Sequence, residues 1–233
     1  MTQLEHQTAL IVGAGQGLSA ALARLFSKQG FQMALASRDT VKLQPLCKET
    51  GAIAIDCDVA DANQVAHLFE QVDKRLPPLD VVVYNPSARS RGPFVDVMPA
   101  DVQRALMVTA MGGFLVGQQA ARRMLPRRFG AILYTGASAS MKGYPQSAPF
   151  AMAKFALRGL VQSMARELAP QGIHVAHFVI DGAIRPPGQG ESTERADAML
   201  DPDAIAASYL HVLKQPRSAW TWEIELRPWT EKF

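Results

Sequence analysis

Three glycines, Gly13, Gly15 and Gly17, stand in IVGAGQGLSAALAR, where an apolar β-rich run gives way to an apolar-faced helical pattern. Glycine in a strand-to-helix turn reaches positive φ and lets the backbone approach a pyrophosphate closely. The N–H groups of the helix start, through Gln16, Gly17 and Leu18, then face the anion. A glycine-rich turn alone says little. Its placement after the first strand and at the opening of a helix makes it a phosphate cradle for a dinucleotide, against the alternative of a tight turn with no ligand.

A second choice is made where the next strand ends, in LASRDTV. A carboxylate there accepts from ribose hydroxyls and repels a 2′-phosphate; a basic residue does the reverse. Ser37 removes the acid, and Arg38 offers a planar fork suited to phosphate. The pair favours NADP(H). NAD(H) stays open because Asp39 follows at once. The other reading is that Arg38 is solvated while Asp39 caps the next helix.

These residues need a frame to hold them. The chain has 233 residues, of which 48% are apolar, and 24 basic against 21 acidic side chains leave a net charge of +3. That composition excludes a disordered chain and argues weakly for any nucleic-acid surface. The Arg122-Arg123 and Arg127-Arg128 pairs read as a solvated helix end rather than a nucleic-acid contact. Two cysteines, Cys47 and Cys57, make neither a disulfide framework nor a metal quartet. His174 and His177 fall on opposite faces of one strand, so a shared metal is not expected. No apolar run approaches the roughly 20 residues that span a bilayer, and Met1 to Gln7 lacks the apolar middle of a signal peptide. A soluble, reducing compartment follows, most simply the cytoplasm.

Strands are expected at Thr8–Val12, Gln32–Ser37, Ala52–Asp56, Asp80–Tyr84, Ala131–Thr135, His174–Ile180 and Glu223–Leu226. Helical patterns fall between them, at Leu18–Gln29, Thr40–Thr50, Asn63–Leu76, Asp101–Leu125, Phe150–Ala169 and Pro202–Lys214. Continuously apolar strands such as LDVVVY belong in a parallel sheet covered on both faces. The alternation implies an α/β, doubly wound parallel sheet (a Rossmann fold) of about seven strands in one domain, residues 1–233. The Pro/Gly/polar run at 185–192, RPPGQGES, follows a strand's C-terminal end; a short lid near 185–200 or a plain surface loop would both suit it.

On the glycine turn and the segments that follow it, the chain resembles the short-chain dehydrogenase/reductase family over nearly its whole length. The family's Thr-Gly-x-x-x-Gly-x-Gly is matched by Gly13 and Gly17, with Val12 for the threonine and Ser19 for the last glycine, where the hydroxyl could donate near the phosphate. The resemblance makes Asp58-Val59 the adenine contact. It sets Asn85-Pro86-Ser87 where the family has Asn-Ala-Gly, keeping only Asn85. It puts Asp181-Gly182-Ala183-Ile184 in place of Pro-Gly-x-Ile, the segment that meets the nicotinamide carboxamide. By the same resemblance a Tyr and a Lys one helical turn apart carry the chemistry: the lysine holds ribose, and the tyrosine exchanges a proton with the substrate oxygen.

Lys154 fills that frame, but the tyrosine is Phe150, the family serine falls on Ala137 beside Ser138, and the family asparagine is Thr109. Phenylalanine cannot exchange a proton, and such help is typically worth about 10²–10⁴-fold. Three explanations stand. Another group, with Tyr144 or Ser138 foremost, donates. The reaction, such as reduction of an activated alkene, needs less acid. Or catalysis is lost and the cofactor stays as a ligand. The expectation is an NADP(H)-dependent oxidoreductase acting on a small carbonyl, alcohol or activated alkene, the alternative an inactive dinucleotide-binding or interaction protein. The resemblance also implies a homodimer or homotetramer through the helices at 101–125 and 150–169. Trp220, Trp222 and Trp229 are read as further interface anchors.

Overall fold

The computed structural model describes residues 7–190 and 197–231. Seven strands, β1 (Thr8–Val12), β2 (Gln32–Ser37), β3 (Ile53–Asp56), β4 (Val81–Tyr84), β5 (Gly130–Thr135), β6 (Ile173–Ile180) and β7 (Glu223–Leu226), form one sheet in the order β3-β2-β1-β4-β5-β6-β7. Every neighbouring pair is parallel. The order reverses between β1 and β4, whose ends are in register at Val12 and Tyr84. A crevice opens at such a reversal, beyond the strands' C-terminal ends.

Alternate strand residues build two cores. Ala9, Ile11, Leu35, Val83 and Phe178 face helices α1 (Leu18–Lys28) and α7 (Pro202–Leu213). Leu10, Val12, Ala36, Tyr84 and Tyr134 face α3 (Ala62–Arg75), α5 (Gly112–Met124) and α6 (Ala148–Leu168). With both faces covered, polar alternation has no place along these strands, which accounts for their apolar runs.

Two expected helices are interrupted. The one at 40–50 is a 3₁₀ turn, Val41–Leu43, followed by α2 (Gln44–Thr50). The long one at 101–125 is α4 (Pro99–Leu106), then a π-helical stretch Met107–Met111, then α5. In that stretch the Val108 carbonyl accepts from the Tyr84 hydroxyl, and Thr109 Oγ1 accepts from the Ala88 N–H at 3.4 Å. Contacts from the sheet thus draw backbone and side chain out of the regular ladder. The expected lid at 185–200 includes residues 191–196, which lie outside the described residues; Ile184 and Leu200 on either side of it pair as a parallel bridge.

Among the described residues, no helix is long and apolar enough to cross a membrane, and no group of three His, Cys, Asp or Glu could hold a metal ion. Two of the three tryptophans pack on their own sheet and stay partly exposed. Trp220 stacks on His174 at 4.6 Å and Trp222 packs against the second core, while Trp229 is 80% exposed. The basic helix end is likewise engaged: Arg123 pairs with Asp73 at 2.7 Å and Arg127 with Asp80 at 2.8 Å.

Candidate functional site

The glycine turn sits at the sheet's reversal. Gly13 has φ +77°, and a Cβ there would lie 2.7 Å from the Pro86 nitrogen, so only glycine lets the turn close against the β4 end. Its N–H and that of Ala14 both donate to the Ala36 carbonyl, at 3.0 and 2.9 Å. Gly15 and Gly17, by contrast, face open space. Gly17 caps α1 without a side-chain hydrogen bond, and the first turn carries no acidic residue. The N–H groups there are left for an anion. Ser19 does not point its hydroxyl at that space. It donates to the Gly13 carbonyl at 3.1 Å and accepts from Asn85 Nδ2 at 2.7 Å, so both residues brace the turn.

A cleft of about 290 Å³ runs from this turn, lined by Gly13, Ser37, Arg38, Asp58, Val59, Asn85, Pro86 and Ser87. An adjoining recess is lined by Gly15, Gln16, Arg38, Asp39 and Lys42. The two together bring nearly the whole expected cofactor set onto one surface. Asp39 does not oppose Arg38: its carboxylate lies 2.8 Å from Lys42 Nζ, which holds it below the usual carboxylate range. Lys42 is a second cation in the recess that its place in a helical pattern concealed. Asp58 turns one carboxylate oxygen to the Ala60 N–H at 3.0 Å. Cys57, in the same wall, has its thiol pushed up to about 12 by burial and by neighbouring carboxylates, so it is a neutral thiol at pH 7. Leu18 is buried in the core and offers only its backbone. Lys154 lines neither the cleft nor the recess, and neither does Ile184. Ile184 packs against the first core, and from its segment Asp181, Gly182 and Ala183 face a cavity instead.

That cavity, about 490 Å³, is lined by Arg89, Arg91, Ser138, Tyr144, Ser147 and Asp181, among others. Tyr144 is 42% exposed there. Ser138 opens a short 3₁₀ turn after the extended Ala137. The loop that carries Arg89 is tied to the 144–147 loop by the Gly92 N–H, which donates to the Gln146 carbonyl at 3.2 Å.

Phe150 and Lys154, one turn apart on α6, share a face, with Lys154 Nζ 5.8 Å from the Phe150 ring centre. Nζ donates to the Thr135 carbonyl at 2.7 Å. Burial drives the Lys154 ammonium down to about 7, and the charge of Arg89 adds to the effect. Arg89 lies over the other side of the story: its guanidinium carbon is 4.5 Å from the Phe150 ring centre, a stacking distance. No property of the sequence alone joined Arg89 to position 150. Ser140, also in the short turn, is fully buried and bonds the Ala137 N–H at 3.2 Å and His177 Nε2 at 3.4 Å, so it is not available to a substrate.

The geometry accords with the similarities of the chain to known proteins. A family model described as short chain dehydrogenase matches residues 7–196. Versicolorin reductase 1 of Aspergillus parasiticus is 32% identical over 190 residues, covering 78% of this chain and 71% of that protein. The (21S)-21-acetoxyl-apo-melianone synthase SDR of Melia azedarach is 29% identical over 210 residues, covering 88% and 74%. Among solved structures, a short-chain dehydrogenase from Rhodopseudomonas palustris superposes with a TM-score of 0.83 at 34% identity, covering 96% of this chain and 99% of that one. Sheet order, glycine turn and match over most of its length agree: the chain belongs to the short-chain dehydrogenase family.

Proposed function

We propose that this chain is an NADP(H)-dependent oxidoreductase acting on a small carbonyl, its alcohol, or an activated alkene, with a proton donor other than residue 150. The observation that carries the reading is the single cleft that joins an open glycine turn to Arg38, Asp58 and Asn85. The turn from Gly13 to Leu18 would hold the pyrophosphate. Ser37 and Arg38 would take the 2′-phosphate, the choice that favours NADP(H) over NAD(H). Asp58 and Val59 would meet the adenine, and Asn85, Pro86 and Ser87 would form the wall beside the ribose. Bound there, the nicotinamide supplies or accepts hydride.

The chain's own groups must then place the substrate oxygen and settle its proton. Lys154 keeps donors beyond the one it gives to Thr135 and can hold ribose hydroxyls. Ser138 and Tyr144 line one cavity, so Ser138 can orient the oxygen and Tyr144 can donate or accept its proton. A second reading, a dinucleotide-binding protein without turnover, is favoured by the buried Phe150 and the apolar Ala137.

Met111 and Phe114 on one helical stretch and Met152 and Phe155 on α6 are each at least 40% exposed, which supports pairing of two copies through those helices in a homodimer or homotetramer. The free Cys47 and Cys57 suit a reducing cytoplasm.

NADPH consumption against aldehydes, ketones, quinones and enones separates the two readings. Turnover lost in Lys154→Ala and lowered about tenfold or more in Tyr144→Phe supports the enzyme with Tyr144 as donor. Phe150→Tyr should raise carbonyl reduction by up to about 10²-fold. Saturable NADPH binding with no turnover in the native chain and in Phe150→Tyr overturns the enzyme reading and leaves the binding protein.

A further inference from the structure

Arg89 and Arg91 stand at the mouth of the Tyr144 cavity with no role in the reading so far. Neither forms an ion pair among the described residues. Burial and the charge of Arg91 both press the Arg89 guanidinium below its ordinary value, which still leaves it charged at pH 7. Both side chains are exposed, so water screens part of their mutual repulsion, and a bound anion would relieve the rest. The Phe150 ring lies 4.5 Å from the Arg89 guanidinium carbon and gives it a seat, and Arg89 lines the cavity.

The helix start that carries Phe150 has the same sign. The 21-residue α6 starts at the cavity, with no acidic residue in its first turn. Ser147, its N-cap, is 5% exposed and lines the cavity, and its hydroxyl does not cap the helix. A buried hydroxyl without that use, a positive helix end and a stacked guanidinium converge on one space. The cavity's carboxylates do not cancel them. Asp181 is held by Lys142 at 3.5 Å and Arg227 at 3.4 Å, and Glu231 is exposed and sets its charge against Arg227.

We propose that the cavity selects substrates bearing an anionic group, a carboxylate or a phosphate, which Arg89 grips from its seat on Phe150 with Arg91 and the Ser147 end of α6 in support. This rests on the oxidoreductase reading and adds the substrate's charge to it. Phe150 then has a task of its own: a ring without a hydroxyl is a platform for the guanidinium that receives the anion.

The test uses the full chain loaded with NADP⁺, so that the dinucleotide's own phosphate sites are filled. Calorimetric titration compares acetoacetate, its neutral ethyl ester and inorganic phosphate. Acetoacetate should saturate about tenfold or more tighter than the ester, and Arg89→Gln should erase that preference while Arg89→Lys keeps part of it. Saturation by phosphate in place of acetoacetate, with the same loss in Arg89→Gln, assigns the phosphate class. Dinucleotide binding in the nanomolar-to-micromolar range, unchanged in the variants, shows that they are folded. If NADP⁺ binds but neither anion saturates, or if Arg89→Gln changes nothing, the proposal is overturned and the oxidoreductase reading stands. If NADP⁺ itself does not bind, the underlying reading falls and the proposal falls with it.

Discussion

Lys154 provides a measurable consequence of burying a cation in the site. Its side chain is 3% exposed, and its ordinary value of 10.5 falls to about 7. That gap corresponds to about 5 kcal/mol of disfavour for the charged form in the folded chain. Between pH 7 and 10.5 the unfolded chain holds a proton that the folded chain lacks, so stability rises with pH across this window. Below pH 7 both states are protonated and the full penalty is in force. Urea unfolding of the cofactor-free protein and of Lys154→Met, from pH 6 to 10, isolates the effect, because other titrating groups cancel in the difference. The upper bound matters. Burial raises Tyr84, Tyr134 and Tyr209 above their ordinary value, and their contribution to stability is lost only above pH 10. Relative to the variant, the native chain should gain about 4 kcal/mol from pH 7 to 10, at roughly 1.4 kcal/mol per pH unit. At pH 6 the methionine variant should be the more stable, even without the bond to Thr135, which is worth about 1–3 kcal/mol. A relative gain below about 1 kcal/mol would refute the reasoning and show that the ammonium is stabilised where it lies.

Arg38→Ala should weaken NADPH by about tenfold or more and NADH by less than about threefold in fluorescence titrations, since only the former offers a 2′-phosphate to the guanidinium; equal losses would remove Arg38 from the choice of cofactor. Gly13→Ala should cost roughly 2–5 kcal/mol in urea unfolding, combining a left-handed φ with a Cβ driven against Pro86. A cost under about 1 kcal/mol would mean that the β4 end moves aside.

What could be read from the sequence was whatever depends on neighbours in the chain. The seven strands and the glycine turn follow from runs such as VVVY and from glycines at a strand end, and both depend on local sterics and two-sided burial. The interruption at Met107–Met111 was hidden because MVTAM is acceptable to any helix; only Tyr84, brought in from β4, takes the Val108 carbonyl. Ile184 was placed with the cofactor by its segment, yet its side chain turns to the core beside α7. Lys42 drew no notice in the sequence; its pairing with Asp39 at 2.8 Å, on the exposed rim of the recess, shows only in the fold. Arg89 and Arg91, one residue apart in a loop, carry no period and no motif. Their meaning comes from the stacking of Arg89 on Phe150, across some sixty positions of chain.

The phenylalanine at position 150 therefore does not simply subtract an acid from an otherwise ordinary site. A chain of hydrogen bonds runs from the short turn to β7: Ser140 to His177 at 3.4 Å, His177 Nδ1 to Glu223 at 3.0 Å, and Glu223 to Arg158 at 2.6 Å. Burial pulls His177 down to about 4 against the pull of Glu223, so at neutral pH the ring is uncharged. With Nδ1–H donated to the carboxylate, Nε2 accepts from Ser140, and the chain of bonds ends at Arg158, a partly exposed side chain that does not line the cavity. No proton reaches a substrate by that path. Ser138 and Tyr144 lie on the same cavity as the two arginines, with Lys142 bonded to the Tyr144 hydroxyl. On the proposed reading the ring at position 150 and the guanidinium stacked on it work as a pair: Phe150 seats Arg89, and Arg89 holds the anionic group of the substrate.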